Sequence, residues 1–249
     1  MPAQERPAKQ GEKEGKEGGG ATLWERLERQ AAAPRSTLSP HRIAASAVRV
    51  ADAEGLDAVT MRRLATELGV APMAAYRYVS GKDELIELMV DFVYGELALP
   101  EETGWRETMR TLALRLRAMV LQHPWMAGTA VFALTPHQLT VPERVLATLR
   151  GQGLGADAMM AVFRTVSAYV HGAVDSEIAL LRLMQERGWS DGDDTRAGLA
   201  PQMSSVMRTG RYPAYEAYMR EATRKDDMTW QFETGLDCVL DGIATRMGI

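Results

Sequence analysis

Cysteine is almost absent from the sequence, in which Cys238 is the single thiol among 249 residues. One cysteine excludes an intramolecular disulfide and any metal site built from several cysteines, and it favours a reducing, cytoplasmic setting. Long apolar runs are lacking too. No stretch approaches the ~20 residues of a membrane-spanning helix, and the first residues hold no signal-peptide core. The net charge is only -4, so DNA binding would require a local arrangement of Arg and Lys.

Recognisable catalytic motifs are also missing. The sequence has no nucleophile elbow, phosphate-binding loop, zinc-ligand spacing or dinucleotide fingerprint. Its four histidines, His41, His123, His137 and His171, are scattered and lack a carboxylate cluster at a recognisable spacing. We therefore expect no enzymatic activity, no cofactor and no metal.

Alternating Val, Ile and Thr runs, which predict strands, are absent, and apolar residues recur at helical spacing instead. The sequence therefore predicts an all-α fold. Residues 1–38 form an N-terminal extension whose first twenty residues, charged and glycine-rich, are expected to be disordered. Within it, Thr22–Ala33 has the pattern of a short helix, with Leu23, Trp24 and Leu27 on one face.

Four helices are predicted between residues 39 and 97, because residues that favour helix ends recur there. Their boundaries are marked by Ser39-Pro40 and Gly55, by Thr60 and Gly69, by Pro72 and Val79, and by a capping box of Ser80 with Asp83 that opens Gly81–Leu97. The remaining predicted helices are Trp105–Gln122, Trp125–Leu134, Val141–Gln152, Ala156–Arg187, Leu199–Met207, Ala214–Thr223 and Met228–Met247. Ser190–Ala197, rich in Asp, Gly and Thr, is predicted to be a mobile loop.

The segment Thr60–Val79 has the pattern of a helix-turn-helix. This motif needs a tight turn between two short helices, so that the second helix can enter a major groove. Gly69 permits the left-handed backbone of the turn, Val70 is suited to pin it, and Ala65 is small enough for close helix approach. Arg62 and Arg77 are the side chains suited to grip guanine or phosphate.

Leu38–Phe92 resembles the N-terminal domain of the tetracycline-repressor family of bacterial regulators. The matching residues include Gly55-Leu-Asp-Ala-Val-Thr60, Leu64-Ala65, Leu68-Gly69-Val70, Tyr76, Tyr78-Val79 and Lys82-Asp-Glu-Leu85. The C-terminal part, with His123-Pro-Trp125, Ala168-Tyr-Val-His-Gly172 and Gly235–Gly242, is similar to the tetracycline-repressor branch. The resemblance implies a three-helix DNA-binding domain at 39–86, joined by a fourth helix to an effector-binding and dimerisation domain at 87–249.

The resemblance also implies a ligand-responsive regulator, most simply a repressor that a small apolar effector releases from its operator. The expected DNA-contacting residues are Arg62, Arg63, Met73, Ala74, Tyr76, Arg77, Tyr78 and Lys82. Met73 and Ala74 offer only apolar contacts, the tyrosines and Lys82 suit phosphates, and Arg62 and Arg77 suit bases. Two alternatives stay open: Tyr76 as a core residue and Arg63 as a solvated charge.

A homodimer on a (pseudo)palindromic double-stranded operator is expected, because a helix-turn-helix protein reads two half-sites about one DNA turn apart. The expected seam lies on the two most apolar helices, with Val166, Val170, Ala173, Phe232, Leu236, Val239 and Ile243 as candidates. The alternative is a large monomeric core. No membrane partner is expected.

Aromatic, Met and His side chains of the C-terminal half are candidates for the effector pocket: Trp125, Met126, Phe132, His137, Phe163 and Tyr169. The alternative for each is an ordinary core position. Thr129 and Ser176 stand where the tetracycline repressors carry the histidine and acid of their drug–magnesium site, so neither tetracycline nor a metal is expected. The rival functions are an enzyme and a protein-binding helical adaptor, and salt-dependent DNA binding would distinguish them.

Overall fold

The computed structural model describes residues 21–31, 38–98, 103–127 and 134–249, and it leaves out the side chains of Gln30, Ala31 and Pro72. Within these ranges the chain forms α-helices and short 3-10 turns and no strand, so the predicted all-α fold is confirmed. Residues 1–20, predicted to be disordered, lie outside the described residues.

The chain divides into two compact units, residues 1–37 and 38–249. In the first unit the described helix is α1 (Leu23–Ala31). The second unit contains α2 (Pro40–Glu54), α3 (Met61–Leu68), α4 (Pro72–Ala75), α5 (Lys82–Gly95), α6 (Trp105–Gln122), α7 (Pro136–Leu149), α8 (Ala156–Arg187), α9 (Gly192–Met207), α10 (Pro213–Glu221) and α11 (Met228–Met247).

Side-chain caps begin α2 and α3 where the sequence predicts them. Ser39 Oγ accepts from the Arg42 amide at 3.2 Å, and Thr60 Oγ1 accepts from the Arg63 amide at 3.1 Å. Each hydroxyl satisfies one of the backbone donors that a helix start leaves unpaired. Gly69 ends α3 with φ 65°, a left-handed conformation that glycine adopts without a steric penalty.

The predicted capping box at the start of α5 is wrong. The N-cap is Gly81, which makes no side-chain cap bond, and the helix begins at Lys82. One turn later, the Glu84 carboxylate accepts from the Ser80 amide at 2.7 Å. Glu84 therefore satisfies the amide at this helix start, and the predicted partner Asp83 does not.

The predicted mobile loop Ser190–Ala197 is wrong in most of its length, because α9 begins at Gly192. Asp191 caps this helix by accepting from the amides of Asp193 and Asp194, each at 2.9 Å. The two aspartates lie in the first turn, where the helix dipole favours negative charge. A composition typical of loops thus serves as a helix start.

The connection between α6 and α7 also differs from the prediction. Residues 124–126 form a 3-10 turn, and most of the predicted helix Trp125–Leu134 lies outside the described residues. Helix α7 begins at Pro136 instead of Val141. Thr135 Oγ1 accepts from the Gln138 amide at 3.3 Å, ahead of a proline at the first helical position. This is the same arrangement as Ser39-Pro40, so the helix start was present in the sequence.

The main core lies where α6, α8 and α11 pack together. Fully buried side chains from the three helices meet there, including Met109, Leu112, Val166, Leu236 and Leu240. Helices α2, α3 and α4 join this body through α5, which packs against both α2 and α7. Within the C-terminal half, the main packing partner of α5 is α7.

Arginines of α6 add ion pairs at the borders of this core. Arg117 forms two hydrogen bonds to Glu177 of α8, at 2.8 and 2.9 Å, and both side chains are nearly buried. Arg110 pairs with Glu233 and Asp237 of α11. The three helices are thus held by charge as well as by apolar packing.

Candidate DNA-binding surface and effector-binding half

The helix-turn-helix is built from α3, the turn at residues 69–71, and α4. The Val70 amide donates to the Ala65 carbonyl at 3.0 Å, which closes the turn onto α3. Leu64 and Ala65 face the interior, and Ala75 and Val79 have no exposed surface. These residues have the packing roles that the sequence predicts for them.

The second helix of the motif, α4, is shorter than predicted. It ends at Ala75, and residues 76–78 continue as a turn in which the Tyr78 and Val79 amides donate to the Ala75 carbonyl at 3.0 and 3.3 Å. Val79 is buried, and the Tyr78 hydroxyl donates to the Leu38 carbonyl, so both residues hold the chain in this turn.

One set of predicted DNA-contacting residues is exposed on this motif. Arg62 lies in the first turn of α3, and Met73, Tyr76 and Arg77 lie on α4 and the turn that follows it. Met73 is 73% exposed, which is unusual for a large apolar side chain, and Tyr76 is 44% exposed. Ala74 is half-buried. The exposure of Tyr76 argues against the alternative that it belongs to the core.

Arg63 and Tyr78 are engaged within the chain. The Arg63 guanidinium bonds Glu54 at 2.7 Å and Glu67 at 2.9 Å. These bonds, the one to Glu67 first, raise the pKa of Arg63 above its ordinary value. The Tyr78 hydroxyl donates to the Leu38 carbonyl at 2.7 Å, so its proton is not available to a phosphate in this conformation. Lys82 is about half exposed, with Asp57 3.7 Å away.

Five of the residues predicted to form the dimer seam do not lie on the surface of the chain. Val166, Val170, Phe232, Leu236 and Ile243 are buried within the chain itself, and a partner cannot pack against side chains that the chain's own core already covers. Ala173 and Val239 are half-buried.

The opposite faces of the same helices are exposed and carry small residues. They are Thr165, Ala168, Gly172 and Ser176 on α8, and Thr234, Cys238, Gly242 and Thr245 on α11. Most of the apolar stripe that the sequence predicted as the seam belongs to the core instead.

The predicted pocket residues are not gathered at one cavity. Trp125 is buried, and Met126, Phe163 and Tyr169 are half-buried. The Tyr169 hydroxyl donates to the Phe232 carbonyl at 2.6 Å, and burial raises the pKa of Tyr169. Phe132 lies outside the described residues.

His137, the sixth predicted pocket residue, connects two helices. Its side chain is 54% exposed, and its amide and Nδ1 both bond the buried Asp91 of α5, at 2.8 and 2.7 Å. Close by on the same two helices, burial raises the pKa of Tyr94, whose hydroxyl also bonds Gln138. This contact joins α5 to the start of α7.

A cleft of about 250 Å³ lies between the end of α5 and the C-terminal half of α6. Its lining is Val93, Glu96, Leu97, Ala98, Arg115, Ala118, Met119, Gln122 and His123. None of the five predicted pocket residues within the described ranges is among them. A signal in the sequence was available, since His123 directly precedes the Pro-Trp pair that we singled out.

A second contact that the sequence analysis missed joins α2 to the turn after α6. Asp52 Oδ1 lies 2.8 Å from both His123 Nδ1 and Trp125 Nε1. The histidine and the tryptophan are buried. No local pattern in the sequence marks Asp52 for this contact, because its partners are more than seventy residues away in sequence.

The described part of the chain holds neither a metal-ligand cluster nor a membrane-spanning helix. No group of three or more His, Cys, Asp and Glu side chains is placed there to hold a metal ion. None of the helices in those ranges has both the length and the apolarity that crossing a membrane requires.

Two family models cover most of the chain. Residues 43–89 match "Bacterial regulatory proteins, tetR family", and residues 97–247 match "Tetracyclin repressor-like, C-terminal domain". The first match spans the helix-turn-helix described above, and the second spans α6 to α11.

Relatives with curated names are similar over nearly the whole chain. The transcriptional repressor DrrR1 of Streptomyces coeruleorubidus is 34% identical, over 89% of this chain and 83% of its own. An HTH-type transcriptional regulator of Saccharopolyspora erythraea is 32% identical, over 94% of this chain and 95% of its own. These relatives are transcriptional regulators and not enzymes, as the sequence predicts for this chain.

Solved structures show the same fold. Streptomyces coelicolor ActR in complex with actinorhodin superposes with a TM-score of 0.67 at 27% identity, covering 86% of this chain and all of ActR. ActR without ligand superposes equally well, with a TM-score of 0.67.

Proposed function

The chain belongs to the tetracycline-repressor family of DNA-binding transcriptional regulators, and from this premise we propose that it is a homodimeric repressor released from a (pseudo)palindromic operator by a small apolar effector. The observation that carries the proposal is the exposed face of the helix-turn-helix, where Arg62, Met73, Tyr76 and Arg77 meet solvent. In a bacterium such a regulator acts in the cytoplasm, beside the chromosome.

We assign the DNA contacts by side-chain chemistry. Arg62 and Arg77 are suited to guanine edges or phosphates, Met73 to a thymine methyl group, and Tyr76 to a phosphate. Lys82, at the start of α5, supplies a further positive charge for the backbone. Arg63 and Tyr78 act on the fold of the motif, because their polar groups are bonded within the chain.

We assign different functions to the N-terminal and C-terminal parts of the chain. Residues 39–86 would read DNA, and residues 87–249 would bind effector and dimerise. The surface that we assign to the dimer is the exposed small-residue face of α8 and α11, centred on Ala168, Gly172 and Cys238. Small side chains allow two pairs of helices to approach closely, and a two-fold arrangement presents two reading motifs to successive half-sites.

Operator selection tests the proposal. A pool of random-sequence duplexes is passed over the full-length chain, and we expect an enriched site with two half-sites about one helical turn apart. Affinity for this site should fall steeply with salt, because bound Arg and Lys side chains release counterions from the phosphates. Failure to enrich any sequence, with binding that is independent of salt, would contradict the proposal and favour a protein-binding adaptor.

A further inference from the structure

The strongest unexplained contact in the molecule ties a DNA-proximal helix to the wall of the α5–α6 cleft. Asp52 of α2 accepts hydrogen bonds from His123 and Trp125, both at 2.8 Å. His123 is 6% exposed, so its ring is held in a fixed orientation. The position of this imidazole therefore depends on the position of α2.

The contact with Asp52 also sets the hydrogen-bonding character of the ring. An ionised carboxylate only accepts, so His123 Nδ1 carries a proton and donates it to Asp52. In the neutral imidazole the other nitrogen, Nε2, is then an acceptor. Nε2 has no hydrogen-bond partner among the described residues, and His123 lines the cleft. An acceptor at a cleft wall can receive a hydrogen bond from a molecule bound in the cleft.

The rest of the cleft is suited to an apolar body. Val93 of α5, Leu97 just after that helix, and Ala118 and Met119 of α6 supply its apolar lining, and Arg115 and Gln122 supply polar groups. The volume of about 250 Å³ lies just below the usual range for small-molecule pockets. It suits a compact molecule of one or two fused rings.

We propose that this cleft binds an apolar hydroxylated molecule, such as a phenol, whose hydroxyl donates to His123 Nε2. In this proposal the hydrogen bond between His123 and Asp52 couples ligand binding to the position of the DNA-binding helices. The inference rests on the proposed function for the meaning of that signal, since it deepens the effector site of a DNA-binding regulator. Hydrogen bonds in a chain polarise one another, so donation to Nε2 strengthens the bond between Nδ1 and Asp52. A ligand that binds better when α2 is held in this position lowers operator affinity if DNA requires a different position.

Binding is tested on the full-length chain with 1-naphthol and with 1-methoxynaphthalene, which keeps the ring system but has no hydroxyl proton. By calorimetry we expect 1-naphthol to saturate one site per chain and to bind about threefold to tenfold more tightly than the ether, the range for one neutral hydrogen bond. In His123→Asn the amide nitrogen can still donate to Asp52, but the acceptor at the Nε2 position is gone. The preference for the hydroxyl should therefore vanish.

A second pair of variants locates the site without touching His123. Ala118→Phe fills the cleft and should abolish 1-naphthol binding, and Ala147→Phe, on an exposed position of α7, should leave it unchanged. No binding of 1-naphthol by the parent chain would overturn the site. So would a hydroxyl preference that survives in His123→Asn, or unchanged binding in Ala118→Phe.

The connection to DNA is tested with Asp52→Ala and the selected operator. In the parent chain, saturating 1-naphthol should weaken operator binding at least about fivefold, the lower end of ordinary allosteric coupling. In Asp52→Ala, 1-naphthol should still bind, but it should no longer change operator affinity. An unchanged response in this variant would overturn the role of Asp52. Failure of the parent chain to bind any operator before 1-naphthol is added would instead count against the proposed function.

Discussion

Arg62 and Arg63 are adjacent in sequence, but the fold gives them different surroundings. Both lie in the first turn of α3. Arg63 is held between Glu54 and Glu67, whose negative charges a DNA phosphate would have to displace. Arg62 is exposed on the same turn. The residue type alone could not distinguish them, because Glu54 belongs to the preceding helix and its approach depends on the packing of α2 against α3.

We therefore expect Arg62→Ala to weaken binding to the selected operator by about 1–3 kcal/mol, the value of a good base contact. Arg63→Ala should have a smaller effect on affinity, and Arg150→Ala, on an exposed position at the end of α7, should have none. Fluorescence anisotropy with a labelled duplex measures all three. A larger loss for Arg63→Ala than for Arg62→Ala would show that our assignment of the reading surface is wrong.

The two tyrosines after α4 form a second matched pair. The Tyr78 hydroxyl donates to the Leu38 carbonyl, and Tyr76 is exposed. Tyr78→Phe should lower the free energy of unfolding by about 0.5–1.5 kcal/mol, because one internal hydrogen bond is lost. Tyr76→Phe should leave stability unchanged and weaken operator binding. Urea unfolding and anisotropy separate the two effects, and an unchanged stability of Tyr78→Phe would contradict the anchoring role.

At the scale of helices, local chemistry predicted the starts of α2 and α3 and the end of α3, but it did not predict the starts of α7 and α9 or the long-range partners. Ser39, Thr60 and Gly69 act through bonds that span at most four residues, so their roles could be predicted from the sequence. The start of α9 was not predicted, because aspartates such as Asp191 are common both at helix N-caps and in loops. The α2–α6 contact through Asp52 was missed for a different reason: no local pattern reports a partner seventy residues away.

The ion pair between α6 and α8 allows a test of packing at this scale. Arg117 and Glu177 are 14% and 11% exposed, and the guanidinium also lies 5.2 Å from the centre of the Phe232 ring. Arg117→Met leaves a nearly buried carboxylate without its partner, which should cost about 3–5 kcal/mol of stability. Combining it with Glu177→Leu should recover most of that loss, since an apolar pair removes the unpaired charge.

The matched control is the exposed pair Arg220 and Glu221. Arg220→Met should change stability by less than about 1 kcal/mol, as is usual for surface ion pairs. All variants are unfolded in urea at one protein concentration, because the dimerisation that we propose would make the midpoint depend on concentration. If Arg117→Met were no more costly than Arg220→Met, the α6–α8 contact would not hold the core as we describe.

For the whole molecule, periodicity predicted an all-α chain with a helix-turn-helix ahead of a larger helical half. It could not say which face of α8 and α11 is internal. Both faces carry residues that tolerate burial, and the choice depends on where α6 packs. Val166 and Leu236 are buried in the core, whereas Ala168 and Cys238 are exposed. The assignment of core and seam thus follows from tertiary packing.

This assignment makes two substitutions on one helix behave differently. Ala168→Glu places a charge on the exposed face of α8, so the chain should stay folded but lose its partner, since like charges would meet across the two-fold axis. Val166→Glu, two residues away, puts an unpaired charge into the core and should unfold the chain. Ala147→Glu, exposed on α7, should leave the dimer intact. Sedimentation equilibrium and circular dichroism distinguish the three outcomes.

A folded Ala168→Glu monomer should also bind the operator far more weakly, because one motif reads only one half-site. A parent chain that sediments as a monomer at micromolar concentration, or an Ala168→Glu chain that remains dimeric, would move the seam to another surface.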